Sequence, residues 1–179
     1  MSLRLLAISG SLRAVSSNTA LLQAAELLAP AGVTIRQYDG LGALPHFNPD
    51  LDVDPPPPAV ADLRAQIGWA DGVIISSPEY ARGVAGVLKN ALDWLVSSDV
   101  FPDKPVALFN ASPRASAAQA ALRLTLETMS ARMIDAACIT VALLAANKNA
   151  AAIAADPEIA NAVRAALEAF GRAVAERPR

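Results

Sequence analysis

RLLAISGSLRAVSSNTALLQAA, residues 4–25, is the stretch that decides the fold. It begins within an apolar run, Leu3–Ser9, which is typical of a strand that is buried on both faces. It ends in the apolar spacing of a helix, which we predict over Asn18–Ala29 with Ser16 or Ser17 as the N-cap residue. A buried strand that leads through a short polar turn into a helix is the building unit of parallel α/β sheets.

The same alternation of strand and helix continues along the chain. Further strands are predicted at Val33–Asp39, Gly72–Ser77, Val106–Asn110 and Met133–Leu143. Further helices are predicted at Ala59–Ala70 and Gly86–Val96, at Ser116–Arg132 with a capping box formed by Ser116 and Gln119, and from Asp156 onward. A long Pro-rich loop, Gly40–Pro58, joins the second strand to the second helix. Five strands alternating with helices predict an α/β fold in one domain, residues 1–179, with a parallel sheet between two helical layers.

Composition and charge argue against several classes of protein. Hydrophobic residues make up 54% of the 179 residues and charged residues 18%, so we expect a packed core rather than disorder. No apolar run approaches the roughly 18–20 residues of a membrane helix, and the N-terminus lacks the layout of a secretory signal. A net charge of −2 with scattered basic residues argues against binding to nucleic acid.

The chain holds one cysteine, Cys138, and one histidine, His46. Neither an internal disulfide nor a zinc site is therefore expected, and a reducing cytoplasm is the natural setting. Cys138 is predicted as a buried strand residue that acts as a small hydrophobe. His46 lies in the Pro-rich loop, where we expect its side chain to be solvated.

Three loops of unusual composition follow predicted strands, after Ser9, after Ser77 and after Asn110. In open parallel sheets, ligands bind beyond the carboxyl ends of the strands. We therefore expect the three loops to meet at one edge of the sheet and to form a ligand site there.

The first loop, GSLRAVSSN (residues 10–18), has the chemistry of a phosphate site. A helix N-terminus offers unpaired backbone N–H groups and a partial positive charge, and Arg13 adds a charge with fork geometry. The side chains that could donate to phosphate oxygens are Ser11, Ser16, Ser17 and Asn18. Neither a GxGxxG fingerprint nor a Walker loop is present. The alternative interpretation is a capped turn with an exposed arginine.

The other two loops are SPEYARGVAG (residues 77–86) and NASPRAS (residues 110–116). Pro78 and the glycines of the second loop shape a backbone that could face a flat ligand, and Tyr80 adds an aromatic surface. In the helix that follows, Lys89 and Asp93 have the spacing of an ordinary surface ion pair, which is the simpler interpretation of that segment. The third loop is small and polar and carries Arg114, which has no evident structural task.

These residues resemble a known family, the NAD(P)H-dependent FMN reductases of the flavodoxin-like fold, which includes chromate/quinone reductases and azoreductase-like enzymes. GSLRAVSSN resembles that family's GSLRxxSxN phosphate loop. SPEYARGVAGVLKNALDWL (residues 77–95) resembles its PEYNxxxPGxLKNAIDWxS segment without a gap. KPVALFNASP (residues 104–113) resembles its fourth strand and the loop after it. The resemblance covers the chain up to Arg114 and is one of pattern alone beyond it.

The resemblance implies a flavodoxin-like three-layer sandwich with a five-stranded parallel sheet of order 2-1-3-4-5. It also implies an enzyme that transfers hydride from NADPH or NADH through bound FMN to a quinone, a similar small acceptor or free flavin. The residues implied at the cofactor are Ser11, Arg13, Ser16, Ser17 and Asn18 at the phosphate, Pro78, Glu79, Tyr80, Ala81 and Arg82 at the isoalloxazine ring, and Ser112 at the ribityl chain or ring. No catalytic side chain is named. A homodimer or homotetramer is implied, with Lys89–Trp94 close to the subunit interface.

The chain departs from the family pattern at two positions, Ala81 in place of Asn and Ala85 in place of Pro. The missing amide at position 81 bears on FMN affinity. Arg82 and Arg114 add charge near the expected position of the ring, and we consider them for recognition of the 2′-phosphate of NADPH, with solvated surface arginines as the alternative. Two other functions stay open: a flavin-binding electron carrier or regulatory protein without turnover, and a relative that has lost flavin.

Overall fold

The computed structural model describes residues 2–143 and 149–176. In chain order, its strands are β1 (Leu3–Ser9), β2 (Val33–Tyr38), β3 (Gly72–Ser76), β4 (Glu79–Tyr80), β5 (Gly83–Val84), β6 (Pro105–Asn110), β7 (Arg132–Met133) and β8 (Ile139–Thr140). Its helices are α1 (Ser17–Leu27), α2 (Pro58–Trp69), α3 (Gly86–Asp93), α4 (Ser116–Thr128), α5 (Ala150–Ala155) and α6 (Pro157–Ala175). Short 3₁₀ turns lie at Gly40–Ala43, Pro49–Leu51 and Asp135–Ala137.

The strands of the main sheet run parallel in the order β2-β1-β3-β6, and β7 and β8 both pair with β6 at the far edge. β7 and β8 together occupy the fifth position, so the sheet confirms the predicted order 2-1-3-4-5. The register pairs Ile8 with Tyr38 on one side of β1 and with Ile75 on the other. Because all of these strands point the same way, the loops after β1, β3 and β6 emerge at one edge.

The two faces of the sheet are covered by two different sets of helices. Leu5 and Ala7 of β1 pack with α1 and α6, whereas Leu6 and Ile8 pack with α2 and α3. This alternation follows from the two-residue period of a strand, and it explains why β1 is apolar throughout. At Gly72 a Cβ atom would lie 2.3 Å from the ring of Phe170, so the absence of a side chain lets α6 sit against the sheet.

The last strand differs from the prediction of one continuous strand over Met133–Leu143. The chain forms β7, leaves the sheet in a 3₁₀ turn, and returns as β8. At the break, the backbone N–H of Leu108 donates to Sγ of Cys138 at 3.3 Å, so a sulfur occupies the place of a carbonyl acceptor. The prediction of Cys138 as a buried strand residue is therefore wrong, because it is half-buried beside the sheet. Burial raises the pKa of its thiol, which keeps it protonated and unreactive.

The helices are confirmed, with some of their ends shifted. α3 ends at Asp93 instead of Val96, and α4 ends at Thr128 instead of Arg132. At the start of α6, the side chain of Asp156 accepts from the N–H groups of Glu158 and Ile159, so Asp156 is the N-cap residue of the helix that was predicted from this position. No helix in the described ranges combines the length and the apolar character that crossing a membrane demands.

Candidate functional site

A cavity of about 360 Å³ opens where the loops after β1, β3 and β6 meet. Its volume lies in the range of small-molecule sites, which is roughly 300–1,000 Å³. The residues that line it are Ser11, Arg13, Ser16, Ser17, Asn18, Ser77, Pro78, Glu79, Tyr80, Asn110, Ala111, Ser112, Arg114 and Ala115. Every residue predicted at the cofactor is among them except Ala81 and Arg82.

The first wall is the start of α1. Oγ of Ser16 accepts from the backbone N–H of Thr19 at 3.3 Å, which makes Ser16 rather than Ser17 the N-cap residue. The N–H groups of Ser17 and Asn18 belong to the first turn, where a helix offers no internal acceptor. Together with the positive end of the helix dipole, these groups form a place for an anion.

Two polar side chains of this wall are also used to hold it together. Oγ of Ser76 donates to Oδ1 of Asn18 at 2.9 Å, so the amide nitrogen of Asn18 is the part left to donate to a ligand. Oγ of Ser11 accepts from the N–H of Arg13 at 3.4 Å, which leaves the hydroxyl proton of Ser11 to donate. Each side chain thus fixes the loop and keeps a donor.

Gly10 brings the first loop close to the second. Its N–H donates to the carbonyl oxygen of Ser76 at 2.8 Å. A Cβ atom at position 10 would lie 2.7 Å from Oγ of Ser77 and 3.3 Å from Leu88. A side chain there would push the two loops apart, so the glycine is a requirement of the cavity's shape.

The second wall is a hairpin of β4 and β5, in which Glu79 pairs with Val84 and Tyr80 with Gly83. The two residues between the strands, Ala81 and Arg82, have φ values of 48° and 61°. Positive φ at both central residues is the mark of a type I′ turn, which suits the twist of a two-residue hairpin. Ala81 and Arg82 therefore lie at the exposed tip and outside the cavity lining, while Tyr80 stays beside the cavity, 53% exposed.

Glu79 ties the second wall to the third. Its Oε2 accepts from the backbone N–H of Ala118, in the first turn of α4, at 2.9 Å. The N-cap position of α4 is Ala115, which has no side-chain acceptor, so the predicted capping box of Ser116 and Gln119 is wrong. No signal in the sequence pointed to this contact, because Ser116 and Gln119 have the spacing of a capping box.

The third wall is the loop after β6, which makes two successive turns, each closed by a hydrogen bond from a backbone N–H to a side-chain oxygen. Oδ1 of Asn110 accepts from the N–H of Ser112 at 3.0 Å, and Oγ of Ser112 accepts from the N–H of Arg114 at 3.2 Å. The carbonyl of Ser112 also accepts from the N–H of Ala115. These bonds set the backbone of Arg114 at the rim, where its side chain is exposed. Asn110 and Ala111, with Ser77 of the second wall and Ala115, are lining residues that we did not predict.

The lining of the cavity carries two arginines and one carboxylate. Arg13 and Arg114 line it, and neither takes part in an ion pair within residues 2–143 and 149–176. The one carboxylate in the lining belongs to Glu79, which is hydrogen-bonded to α4. The arrangement therefore suits ligands that carry negative groups.

The segment around α3 supports the neighbouring loop instead of lining the cavity. Asn90 donates to the carbonyl of Pro45 at 2.9 Å and accepts from the N–H of Phe47 at 2.8 Å, and Nε1 of Trp94 donates to the same carbonyl at 2.8 Å. Trp94 is fully buried, with its ring edge-on to Phe47. Lys89 and Asp93 form the surface ion pair expected from their spacing. The loop carries an exposed His46, as expected.

A doubly wound parallel sheet of order 2-1-3-4-5, with a cavity at its carboxyl edge, is the arrangement of the flavodoxin-like class of α/β proteins. The profile of the family described as NADPH-dependent FMN reductase matches residues 3–151. The chain belongs to this family, which confirms the resemblance seen in the three loops.

Relatives and solved structures agree with this assignment. The chain is 43% identical over 112 residues to an NAD(P)H-dependent FMN reductase of Pseudomonas aeruginosa, covering 62% of this chain and 60% of that one. It is 41% identical over 115 residues to a 2-hydroxy-1,4-benzoquinone reductase of Burkholderia sp, covering 63% and 62%. It therefore spans about three fifths of the length of these curated relatives. The structure of the flavoenzyme NAD(P)H:(acceptor) oxidoreductase FerB of Paracoccus denitrificans superposes with a TM-score of 0.78 at 27% identity, covering 94% of this chain and 97% of that one.

Proposed function

We propose that the cavity binds FMN and that the protein is an NAD(P)H-dependent oxidoreductase that reduces a quinone or a similar small acceptor. The observation that carries this proposal is the meeting of three loops in one cavity, with an anion site at one end. The names of the relatives support it, since one is an FMN reductase and another a benzoquinone reductase.

The cavity fits FMN in both charge and shape. Its α1 end offers N–H groups, hydroxyl donors and Arg13, as a phosphate requires. Gly10 keeps the first two loops close together, so that both face the same cavity. The exposed ring of Tyr80 offers an apolar flank beside it.

In this proposal each wall holds one part of the cofactor. The phosphate group is held by Ser11, Arg13, Ser16, Ser17 and Asn18. Pro78, Glu79 and Tyr80 face the isoalloxazine ring, largely through their backbone, while Ala81 and Arg82 flank it from the tip of the hairpin. Ser112 faces the ribityl chain. Ser16 acts mainly through its backbone, because its hydroxyl already caps α1.

When bound, FMN would supply the two-electron chemistry, accepting hydride from NAD(P)H and passing it to the acceptor. The residues of the chain would bind FMN and orient it. Arg13 balances the phosphate charge, and the backbone N–H groups of the second wall can stabilise negative charge close by. Glu79 has a structural task in this scheme, because its Oε2 accepts from the backbone N–H of Ala118.

The test is a visible absorption spectrum of the protein with and without FMN, followed by NADPH under anaerobic conditions. We expect a flavin band that is retained through gel filtration and bleaches on addition of NADPH. Arg13→Ala should weaken FMN binding by about tenfold or more, the effect of losing a charge-assisted hydrogen bond. Arg164→Ala, which removes an exposed arginine of α6, is the matched control. A protein that stays colourless with excess FMN would overturn the proposal.

We further propose that residues 1–179 act as one flavin-binding domain, that the protein works in the cytoplasm, and that it forms a homodimer or homotetramer. The resemblance of Lys89–Trp94 to a segment near the family's subunit interface supports the last point. Light scattering of the FMN-loaded protein tests it, and a mass of one chain at micromolar concentration would contradict it.

A further inference from the structure

We propose that Arg114 binds the 2′-phosphate of NADPH and thereby makes the protein prefer NADPH to NADH. This inference rests on the proposed function, since it assigns a second ligand to the same cavity. It also separates two arginines that the sequence left equivalent, because the fold brings Arg114 to the cavity and leaves Arg82 at the hairpin tip, outside its lining.

Arg114 is placed by its backbone and not by any partner of its side chain. Its N–H is held by Oγ of Ser112, and the next residue, Ala115, is held by the carbonyl of Ser112. Its guanidinium forms no ion pair with the described residues, 2–143 and 149–176. The backbone of Arg114 is thus held by hydrogen bonds while its guanidinium is left to meet a ligand, whereas Arg4, Arg64 and Arg123 each pair with a carboxylate.

Arg114 lies on the wall of the cavity opposite the proposed phosphate site. FMN carries one phosphate, which the α1 wall and Arg13 accommodate. Among the described residues, Arg114 forms no ion pair with Glu79, the one carboxylate of the lining, whose Oε2 accepts from the N–H of Ala118. The remaining anionic ligand of the proposed reaction is the dinucleotide.

Exposure indicates which part of the dinucleotide Arg114 meets. A nicotinamide that gives hydride must reach the ring inside the cavity, so the adenosine end extends outward past the rim. Arg114 is exposed at that rim. A terminal phosphate with three oxygens is also the group that best uses the fork of a guanidinium. The adenosine 2′-phosphate, which distinguishes NADPH from NADH, satisfies both conditions.

The experiment measures binding without turnover. FMN-loaded wild-type and Arg114→Ala proteins are titrated by calorimetry with adenosine 2′,5′-bisphosphate and with adenosine 5′-monophosphate. We expect Arg114→Ala to weaken binding of the bisphosphate about tenfold, the effect of one charge-assisted hydrogen-bonded contact, and to leave the monophosphate unchanged. The ratio of kcat/KM for NADPH to that for NADH should fall by the same factor. Arg114→Lys should restore part of the preference, since it keeps the charge and loses the fork.

Three results would overturn the proposal. Equal losses of affinity for the two adenosine nucleotides in Arg114→Ala would place Arg114 at the 5′-phosphate that they share. An unchanged ratio of kcat/KM for NADPH to that for NADH would mean that Arg114 is a solvated arginine. A loss of FMN affinity in Arg114→Ala would place it in the cofactor site. Arg164→Ala is the control for a general loss of positive charge. Failure of the proposed function is distinct from all of these, because the wild-type protein itself would then bind no FMN.

Discussion

The carboxylate of Glu79 and the backbone N–H of Ala118 lie 2.9 Å apart, although 39 residues separate them in the chain. One belongs to the hairpin beside the cavity and the other to the first turn of α4, which has no cap of its own. A carboxylate at this position satisfies an unpaired helix N–H and also interacts favourably with the positive end of the helix. The bond therefore joins two walls of the cavity.

Replacing Glu79 should affect stability and the cavity together. We expect Glu79→Ala to lower the free energy of unfolding by about 1–2 kcal/mol, as for the loss of an N-cap, and to weaken FMN binding. Glu79→Gln should recover most of both, because its amide oxygen still accepts from Ala118. Urea unfolding and FMN titration measure the two effects. If Glu79→Gln loses as much stability and FMN affinity as Glu79→Ala, the charge at position 79 matters more than the hydrogen bond.

Ala81 occupies a conformation that suits asparagine better. Its φ of 48° lies in the left-handed region, which costs a residue with a Cβ about 1–2 kcal/mol and is relieved in part by the side chain of asparagine. Ala81→Asn should therefore raise the melting temperature, while Ala81→Val, which is β-branched, should lower it. A gain on substitution by valine would show that the hairpin turn does not hold this backbone in solution.

Cys138 should contribute to stability as an acceptor. The N–H of Leu108, a buried residue, donates to its sulfur. Cys138→Ala leaves that N–H without a partner, at a cost of about 1–3 kcal/mol. Cys138→Ser keeps an acceptor at the same place and is the matched control. Hydrogen exchange at the amide of Leu108 should accelerate in the alanine variant alone, and equal rates in the two variants would exclude the role.

Two aspartates should make the fold sensitive to acid. The Ser97 hydroxyl, and after it Arg64, lowers the pKa of Asp52, and Arg4 lowers the pKa of Asp71. A carboxyl with a lowered pKa stabilises the fold fully above its unfolded pKa of about 4, and this contribution is lost as the pH falls through the folded value. The free energy of unfolding should therefore decline below about pH 4.

The double variant Asp52→Asn/Asp71→Asn should show a shallower decline with acid than the wild type. Asp99→Asn, which changes an exposed aspartate, is the control. Guanidinium unfolding at a series of pH values measures the slopes. Parallel curves for the wild type and the double variant would exclude the two aspartates as the source of the acid sensitivity.

The alternation of strands and helices and the position of the cavity followed from local patterns, whereas the strand order 2-1-3-4-5 followed from the family resemblance. Apolar runs such as Leu3–Ser9 and polar turns such as residues 10–18 are signals carried by neighbouring residues, and the rule for parallel sheets then brings the loops together. The cap on Ala118 and the break before β8 depend on partners far along the chain, Glu79 and Leu108, which no local pattern records. The tip of the hairpin is a local feature that the sequence still did not reveal, since Ala81 and Arg82 are not glycines and carry no strong turn signal despite their positive φ.

The side chains of Asn90 and Trp94 both donate to the carbonyl of Pro45 and so support the loop that contains it. The most distinctive string of the chain, LKNALDW (residues 88–94), maintains the scaffold, while the groups that face a ligand lie in the shorter loops around it. Part of the family resemblance therefore lies in residues that hold the scaffold and do not line the cavity. Substitutions in the loops can alter the lining of the cavity without disturbing this scaffold segment.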